Sequence, residues 1–264
     1  MTSVRSRPLV LLTNDDGYLA PGLAALARAM RRDADLWLVA PDRERSATSL
    51  ALTLVHPLRA LRVKKRVWAV DGTPADCVYL AVRKLLPRAP DLLLSGINRG
   101  PNIGRQDVSY SGTVAAALQG AFLGLPSIAF SALPDGGGRF HFDVTAGAAA
   151  RLALDVREAR WPEGAALNVN FPPPPWRGLR LTTLGDKHYE PEIIEKVDPR
   201  SRTYFWIGLG RTRLAGKPSS DIQAVAKGFI SVTPLRPDPT DRRALRTPLF
   251  RKLRSLSLKP GEKA

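Results

Sequence analysis

The feature that most constrains the fold of this chain is a series of continuous apolar runs that alternate with segments of helical pattern. The apolar runs, which predict buried strands, span residues 8–12, 35–40, 91–97, 126–132 and 166–172. The helical patterns span residues 21–30, 75–86, 112–124 and 142–157. Strands that are apolar on both faces need cover on both faces, and a parallel sheet between two layers of helices provides it. The sequence therefore predicts a doubly wound α/β domain with a mostly parallel sheet.

The pattern changes after Phe171, and the rest of the chain is predicted to be β-rich. The segment FPPPPW at 171–176 predicts a rigid, extended connector. Beyond it, β-hairpin strands are predicted over 180–184, 203–209 and 229–235, and a basic helix over 239–256. We therefore divide the chain into a core over 1–172 and a smaller appendage over 173–264, a common place for contacts between subunits.

Charge and cysteine content limit the cellular location and the binding partners of the protein. Lys and Arg number 40 against 24 acidic residues, a net charge of +16, and the segment 242–264 alone holds eight basic residues and one acid. This balance favours polyanions or phosphorylated partners, or it reflects only a solvated, arginine-rich surface. The one cysteine, Cys77, excludes an internal disulfide and favours the cytoplasm. No apolar run has the ~20 residues of a membrane span, and the N-terminal run is too short for a signal peptide.

Polar residues follow several of the predicted strands directly. The first strand is followed by Asn14, Asp15 and Asp16, the second by a loop that contains Ser46, and the third by a loop that contains Asn98, Gly100 and Asn102. Ser111, Gly112 and Thr113 open a predicted helix. Ligands of open α/β sheets bind beyond the carboxyl ends of the strands, so we expect these loops to converge on one site.

The adjacent acids Asp15 and Asp16 are the candidate metal ligands. Two carboxylates at a strand end suit a hard divalent cation such as Mg²⁺ or Mn²⁺, and Ser46 and Asn98 would add neutral oxygens. The alternative is that one acid caps the following helix while the other is solvated.

The stretch from Ser111 to Thr113 is the candidate phosphate site. Hydroxyls and free backbone N–H groups at the start of a helix attract phosphate, aided by the helix dipole. Ordinary N-capping by Ser111 or Thr113 is the alternative explanation of this stretch.

Five segments together resemble one family. They read LTNDDGYLAPG, VAPDRERSATS, VDGTPADCVYLAV, SGINRGPNIG and YSGTVAAALQGAFLGLPSIAFS. Their order and spacing are similar to those of the SurE (survival protein E) nucleotidases, and the resemblance extends over about residues 8–250. It implies a Rossmann-like fold whose C-terminal hairpin and tail exchange between the subunits of a homodimer or homotetramer. It also implies hydrolysis of nucleoside 5′- and 3′-monophosphates with a divalent metal ion.

The resemblance also implies roles for individual residues. The ligands of one Mg²⁺ or Mn²⁺ ion per subunit would be Asp15, Asp16, Ser46 and Asn98, with Asp15 and Asp16 also catalytic. The phosphate pocket would comprise Asn14, Gly100, Asn102, Ser111, Gly112 and Thr113. Two positions depart from the family pattern: Ala47 stands where glycine is more frequent, and Gln119 where glutamate is usual. Attack by water and a covalent aspartyl-phosphate route both remain open, as does the preferred nucleotide.

A function of another class remains as an alternative. The charge of +16 and the basic tail would suit a nucleic-acid- or polyphosphate-binding protein with little or no catalysis. That function leaves Asp15 and Asp16 unexplained, because carboxylates at a contact face repel phosphates. A combined version, in which the tail recruits polyanions to a phosphatase site, is also open.

Overall fold

The protein was analysed as a computed structural model, which describes residues 7–208 and 210–254. Its strands, numbered along the chain, are β1 (Leu9–Thr13), β2 (Asp35–Pro41), β3 (Ala60–Lys64), β4 (Val67–Val70), β5 (Leu92–Arg99), β6 (Ser127–Ala132), β7 (Ala166–Phe171), β8 (Leu179–Leu181), β9 (Asp186–Glu190), β10 (Ile193–Val197), β11 (Thr203–Ile207), β12 (Arg211–Ala215) and β13 (Ile230–Leu235). Its α-helices are α1 (Pro21–Met30), α2 (Pro74–Leu80), α3 (Gly104–Tyr110), α4 (Gly112–Phe122), α5 (Phe142–Arg157), α6 (Asp221–Ala226) and α7 (Pro248–Arg254).

Nine of the strands form one sheet, in the order β3-β4-β2-β1-β5-β6-β7-β13-β8. The central pairs are parallel: β1 with β2 and β5, and β6 with β5 and β7. Only β3 with β4 and β13 with β7 are antiparallel among the pairs described for this sheet. The predicted doubly wound, Rossmann-like α/β fold is confirmed.

Strand β1 shows why the sheet needs helices on both faces. Val10 and Leu12 are fully buried in a cluster with side chains of α1 and α5. Leu11, which points to the opposite face, is fully buried against side chains of α2 and α4. Burying each such side chain contributes about 1.5–3 kcal/mol, so both helical layers are needed to shield this strand from water.

The helix starts follow from local residues. Pro21 and Pro74 are the first residues of α1 and α2, where proline's missing N–H is not needed. Thr73 accepts a hydrogen bond from the Asp76 backbone N–H, and the Asp76 carboxylate accepts one from that of Thr73, which forms a capping box. The helix predicted over 75–86 is α2 followed by a π-helical turn over Ala81–Leu85.

Within residues 7–208 and 210–254, every helix is too short or too polar to cross a bilayer.

Two strands predicted for the appendage lie in the main sheet instead. The run at 229–235 forms β13, which is antiparallel to β7, and the run at 180–184 contributes β8 beside β13. The reason is burial, since Ile230 and Val232 pack into the core cluster that contains Phe171. The strand predicted over 203–209 forms as β11 and pairs with β10, while β12 pairs with β9, so these four strands make a nested hairpin arm. The division of the chain at residue 172 stays a prediction.

The terminal helix is shorter than the predicted range of 239–256. A single 3₁₀ turn occupies Ala244–Arg246, and helix α7 begins only at Pro248. Proline disfavours helical backbone in the residue before it, and Thr247 is accordingly extended with ψ 161°. Residues 255 and 256 lie outside the described part of the chain.

Alanine substitutions at two helical glycines would show how tightly α1 packs on the sheet. A Cβ added at Gly22 would lie 2.0 Å from the carbonyl oxygen of Ile97, whereas a Cβ at Gly147 of α5 would meet nothing within 4 Å. We expect Gly22→Ala to lower the free energy of unfolding by about 1–3 kcal/mol through overpacking. Gly147→Ala, the matched control, should raise it by about 0.5–1 kcal/mol. Urea unfolding measures both, and a neutral Gly22→Ala would contradict the packing described.

Candidate active site

The loops after β1, β2 and β5 open into one cleft of about 980 Å³ at the carboxyl edge of the sheet. The cleft brings together six of the predicted site residues: Asp15, Asp16, Ser46, Asn98, Asn102 and Ser111. The other four predicted residues, Asn14, Gly100, Gly112 and Thr113, are not part of its lining. The predicted convergence of strand-end loops is therefore seen, although these four residues are not at the surface of the cleft.

Asp15 and Asp16 carry charge that the protein does little to offset. Burial raises the pKa of Asp15, and donation from the Thr113 hydroxyl only partly counters it. Burial and the charge of Asp15 raise the pKa of Asp16 to about 6. Glu44, a third acid in the cleft, raises both pKa values further. Among the described residues, neither aspartate forms an ion pair, and the charge of Arg99 lowers the pKa of Asp16 only slightly against these effects.

The start of α4 holds Asp15 in place. The Thr113 hydroxyl donates a hydrogen bond to the Asp15 carboxylate, and both side chains are buried. Gly112 permits the close approach, because a Cβ there would lie 2.8 Å from the Asp15 Cβ. Ser111 caps the helix, accepting from the Val114 backbone N–H at 3.1 Å, and phosphate binding by this stretch stays a prediction. Asn14 is fully buried and donates to the carbonyl of Gly17 at 2.9 Å.

Ser46 and Asn98 supply neutral oxygens beside the two acids. The Ser46 hydroxyl donates to the Glu44 carboxylate at 2.7 Å. The Asn98 amide nitrogen donates to the carbonyl of Gly100 at 2.9 Å, which orients the amide. Ala47, which follows Ser46, has a φ of 57°. This left-handed conformation costs an L-residue about 1–2 kcal/mol, so the backbone next to Ser46 is strained.

Asn102 is fixed by a buried amide network that the sequence analysis missed. Its backbone N–H donates to Asn170 Oδ1 at 2.8 Å, and its carbonyl accepts from Asn168 Nδ2 at 2.8 Å and Asn170 Nδ2 at 3.1 Å. Its own Nδ2 donates to the Ser131 hydroxyl at 2.8 Å. Two asparagines in the otherwise apolar strand ALNVNF were the available signal, because buried amides need partners.

Asp107 of α3 and Tyr189 of β9 form another wall of the cleft, which sequence reasoning also missed. Asp107 of α3 is buried, and it accepts from Lys187 Nζ at 2.7 Å and from the Tyr189 hydroxyl at 2.6 Å. Asp107 and Tyr189 both line the cleft. This wall depends on a contact between residues about 80 positions apart, which no local pattern predicts.

The donor set fits a hard divalent cation. The described residues contain no group of three or more His, Cys, Asp or Glu placed to hold a metal. They do contain two adjacent carboxylates without an ion-pair partner, flanked by hydroxyl and amide oxygens. Such a site suits an ion that takes oxygen ligands and keeps several waters, as Mg²⁺ and Mn²⁺ do.

The amide network predicts unequal costs for two similar substitutions. Asn170→Ala would leave the buried N–H of Asn102 without its acceptor, which should cost about 1–3 kcal/mol of stability. In Asn168→Ala, the Asn102 carbonyl keeps its bond from Asn170, so the cost should be smaller. Urea unfolding of both variants measures the difference, and equal costs would show that Asn170 has no special role.

Comparison with known proteins gives a consistent assignment. A family model described as Survival protein SurE matches residues 10–191. A protein named 5′-nucleotidase SurE from Geobacter sp. (strain M21) is 47% identical over 241 residues, which cover 90% of this chain and 96% of that protein. One of the same name from Gemmatimonas aurantiaca is 48% identical over 251 residues, with coverages of 90% and 96%.

A solved structure matches as well. The crystal structure of the SurE protein from Aquifex aeolicus has a TM-score of 0.78 and 36% identity, and the match covers 93% of this chain and 100% of that one. The similarity includes the strand-end loops that line the cleft, since the family match begins at residue 10. The chain belongs to the SurE family.

Proposed function

We propose that this protein is a divalent-metal-dependent phosphomonoesterase that hydrolyses nucleoside 5′- and 3′-monophosphates to nucleoside and phosphate. The observation that carries the proposal is the pair of adjacent acids, Asp15 and Asp16, in a cleft where no cationic side chain pairs with them among the described residues. The relatives named 5′-nucleotidase SurE, which are 45–48% identical, support the same activity.

The residues that would hold one Mg²⁺ or Mn²⁺ ion per subunit are Asp15, Asp16, Ser46 and Asn98. When bound, such an ion polarises phosphoryl oxygens and offsets the charge that develops on them in the transition state. The Thr113 hydroxyl donates a hydrogen bond to one carboxylate oxygen of Asp15, and the Arg99 backbone N–H donates to Asp16 at 3.3 Å. These bonds orient the two carboxylates before any ligand arrives.

Phosphate would bind between Asn102 and the start of α4. Ser111 lines the cleft there, and the first N–H groups of α4 lie at the positive end of the helix dipole. Asn14, Gly112 and Thr113 would support this pocket from behind, and Gly100 would shape its loop. Asp15 would accept the proton of the attacking water, or attack phosphorus itself in the aspartyl-phosphate alternative.

Asp16→Asn tests the activity and the metal requirement together. Phosphate release from 5′-AMP and 3′-AMP should require Mn²⁺ or Mg²⁺ and cease with EDTA. Outer-shell substitutions at metal sites typically cost 10–100-fold, so loss of a ligand should cost more than about 100-fold. Asp42→Asn is the matched control, because Asp42 pairs with Arg43 and Arg45 in the next loop and does not line the cleft. Unchanged turnover by Asp16→Asn, or turnover in EDTA, would contradict the proposal.

We also propose that the protein forms a homodimer or homotetramer through the hairpin arm. Apolar side chains of β10 and β11 are largely exposed: Ile193 by 60%, Phe205 by 62%, Trp206 by 61% and Ile207 by 78%. A two-stranded hairpin with such a surface is marginally stable alone, and contiguous exposed apolar patches mark contact sites.

Trp206→Glu tests this contact. We expect the native protein to elute as a dimer or tetramer in size exclusion with light scattering, and the variant to shift toward the monomer mass. Leu61→Glu, which places the same charge on an exposed leucine of β3, an edge strand of the main sheet, should leave the mass unchanged. A monomeric native protein would overturn the proposal.

We also propose that basic residues near the C-terminus contact polyanions. Arg251 and Arg254 of α7 are exposed and would contact polyanions, while residues 255–264 of the basic tail lie outside the described part of the chain. The purely nucleic-acid-binding alternative is less favoured, because Asp15, Asp16 and Glu44 repel phosphates when no cation is bound. We propose a cytoplasmic location, consistent with the single, buried Cys77.

A further inference from the structure

One wall of the cleft is aromatic. Phe140 and Phe142 stack with ring centroids 5.5 Å apart and an interplanar angle of 9°. The guanidinium carbon of Arg99 lies 5.5 Å from the centroid of Phe140. All three residues line the cleft that contains the acids. The two rings are stacked and the guanidinium lies over one of them, so a further flat group bound in the cleft can extend this stack.

The aromatic wall is held in position by its neighbours. Phe142 rests on α1, where a Cβ added to Gly22 would lie 3.1 Å from its ring. The loop before Phe140 is organised by Asp135, which accepts from the backbone N–H groups of Gly137 at 2.9 Å and Arg139 at 3.0 Å. Its second oxygen is 2.9 Å from His141 Nε2. A wall fixed in this way loses little conformational entropy when a ligand stacks on it.

The wall is also joined directly to the acidic part of the cleft. The backbone N–H of Arg99 donates to Asp16 at 3.3 Å, while the Arg99 side chain lies over Phe140. Tyr189, another aromatic residue in the cleft, belongs to the wall formed with Asp107, to which its hydroxyl donates a hydrogen bond at 2.6 Å. A ligand bound at Asp16 is therefore next to Arg99, and the two phenylalanines line the same cleft.

We propose that Phe140, Phe142 and Arg99 form the binding surface for the nucleobase of the substrate. The inference rests on the proposed nucleotidase function and adds to it how the nucleoside is bound. Stacking on rings and on a guanidinium recognises any base, because every base has a π-face. The surface therefore selects nucleotides over phosphomonoesters without a base, discriminates weakly among bases, and favours purines for their larger area.

The direct test is the binding of adenosine, which contains the base but no phosphate, to protein kept in EDTA. Equilibrium dialysis with radiolabelled adenosine would compare Phe140→Leu with Phe140→Tyr. Both keep most of the side-chain volume, but only tyrosine keeps an aromatic face. We expect Phe140→Leu to weaken adenosine binding about 10-fold and Phe140→Tyr to retain it, in line with the usual contribution of one stacked base.

The control for this binding measurement is a phenylalanine outside the cleft. Phe122→Leu removes a ring that is 60% exposed at the end of α4, outside the cleft, and should not change adenosine binding. Equal binding by Phe140→Leu and the native protein would overturn the proposal, as would the absence of adenosine binding to the native protein. Urea unfolding of each variant confirms that it is folded.

A kinetic measurement separates base recognition from a general role of Phe140. In Phe140→Leu, kcat/KM for 5′-AMP should fall about 10-fold further than kcat/KM for ribose 5-phosphate, mainly through KM. Equal losses for both substrates would overturn the proposal. If the native protein hydrolyses neither ester, the proposed function fails, and the adenosine measurement still decides whether the aromatic wall binds a base.

Discussion

The repulsion between the carboxylates of Asp15 and Asp16 is the constraint on which the rest of the site depends. Burial favours the protonated form of each acid, and the charge of Asp15 further disfavours ionisation of Asp16. The Thr113 hydroxyl and the Arg99 backbone N–H offset part of this cost. A divalent cation between the two carboxylates would offset the remainder, and this is the physical basis of the proposed metal-dependent chemistry.

The sheet determines where this charge is placed. Strand β1 is buried on both faces, so its register is fixed, and its carboxyl end delivers the two acids to a defined point at the edge. Neighbouring strands end at the same edge, which brings Asn98 and the loop of Ser46 into the same cleft. Tight contacts, such as Gly112 against Asp15, then hold the site with little freedom.

Whether a strand or helix could be predicted from the sequence depends on how that element is stabilised. The central strands and their covering helices were predicted, because burial on both faces leaves continuous apolar runs in the sequence. Strands β9 to β12 contain many exposed residues and pair only with one another, so their local pattern is weak. Strand β13 was predicted as a strand, but its pairing with β7 was not, since β7 lies about 60 residues earlier in the chain.

The site residues likewise divide into those that a local sequence pattern predicts and those that depend on long-range packing. The residues of the strand-end loops could be predicted, because a parallel sheet brings such loops together. Glu44 lies in one of these loops and was overlooked, although its position was available. Phe140, Asp107 and Tyr189 reach the cleft from a loop, from helix α3 and from strand β9, and no local pattern encodes how these segments pack. Thr113 was assigned to phosphate, but its bond to Asp15 became evident only from the packing of α4 on β1.

The measurement that most directly tests the central claim is a titration of the protein with Mn²⁺, followed by electron paramagnetic resonance of the free ion. The account predicts one tightly bound ion per chain, and loss of that binding in Asp15→Asn with the fold intact. Failure of the native protein to bind Mn²⁺, or equal binding by Asp15→Asn, would show that the two acids do not form a metal site.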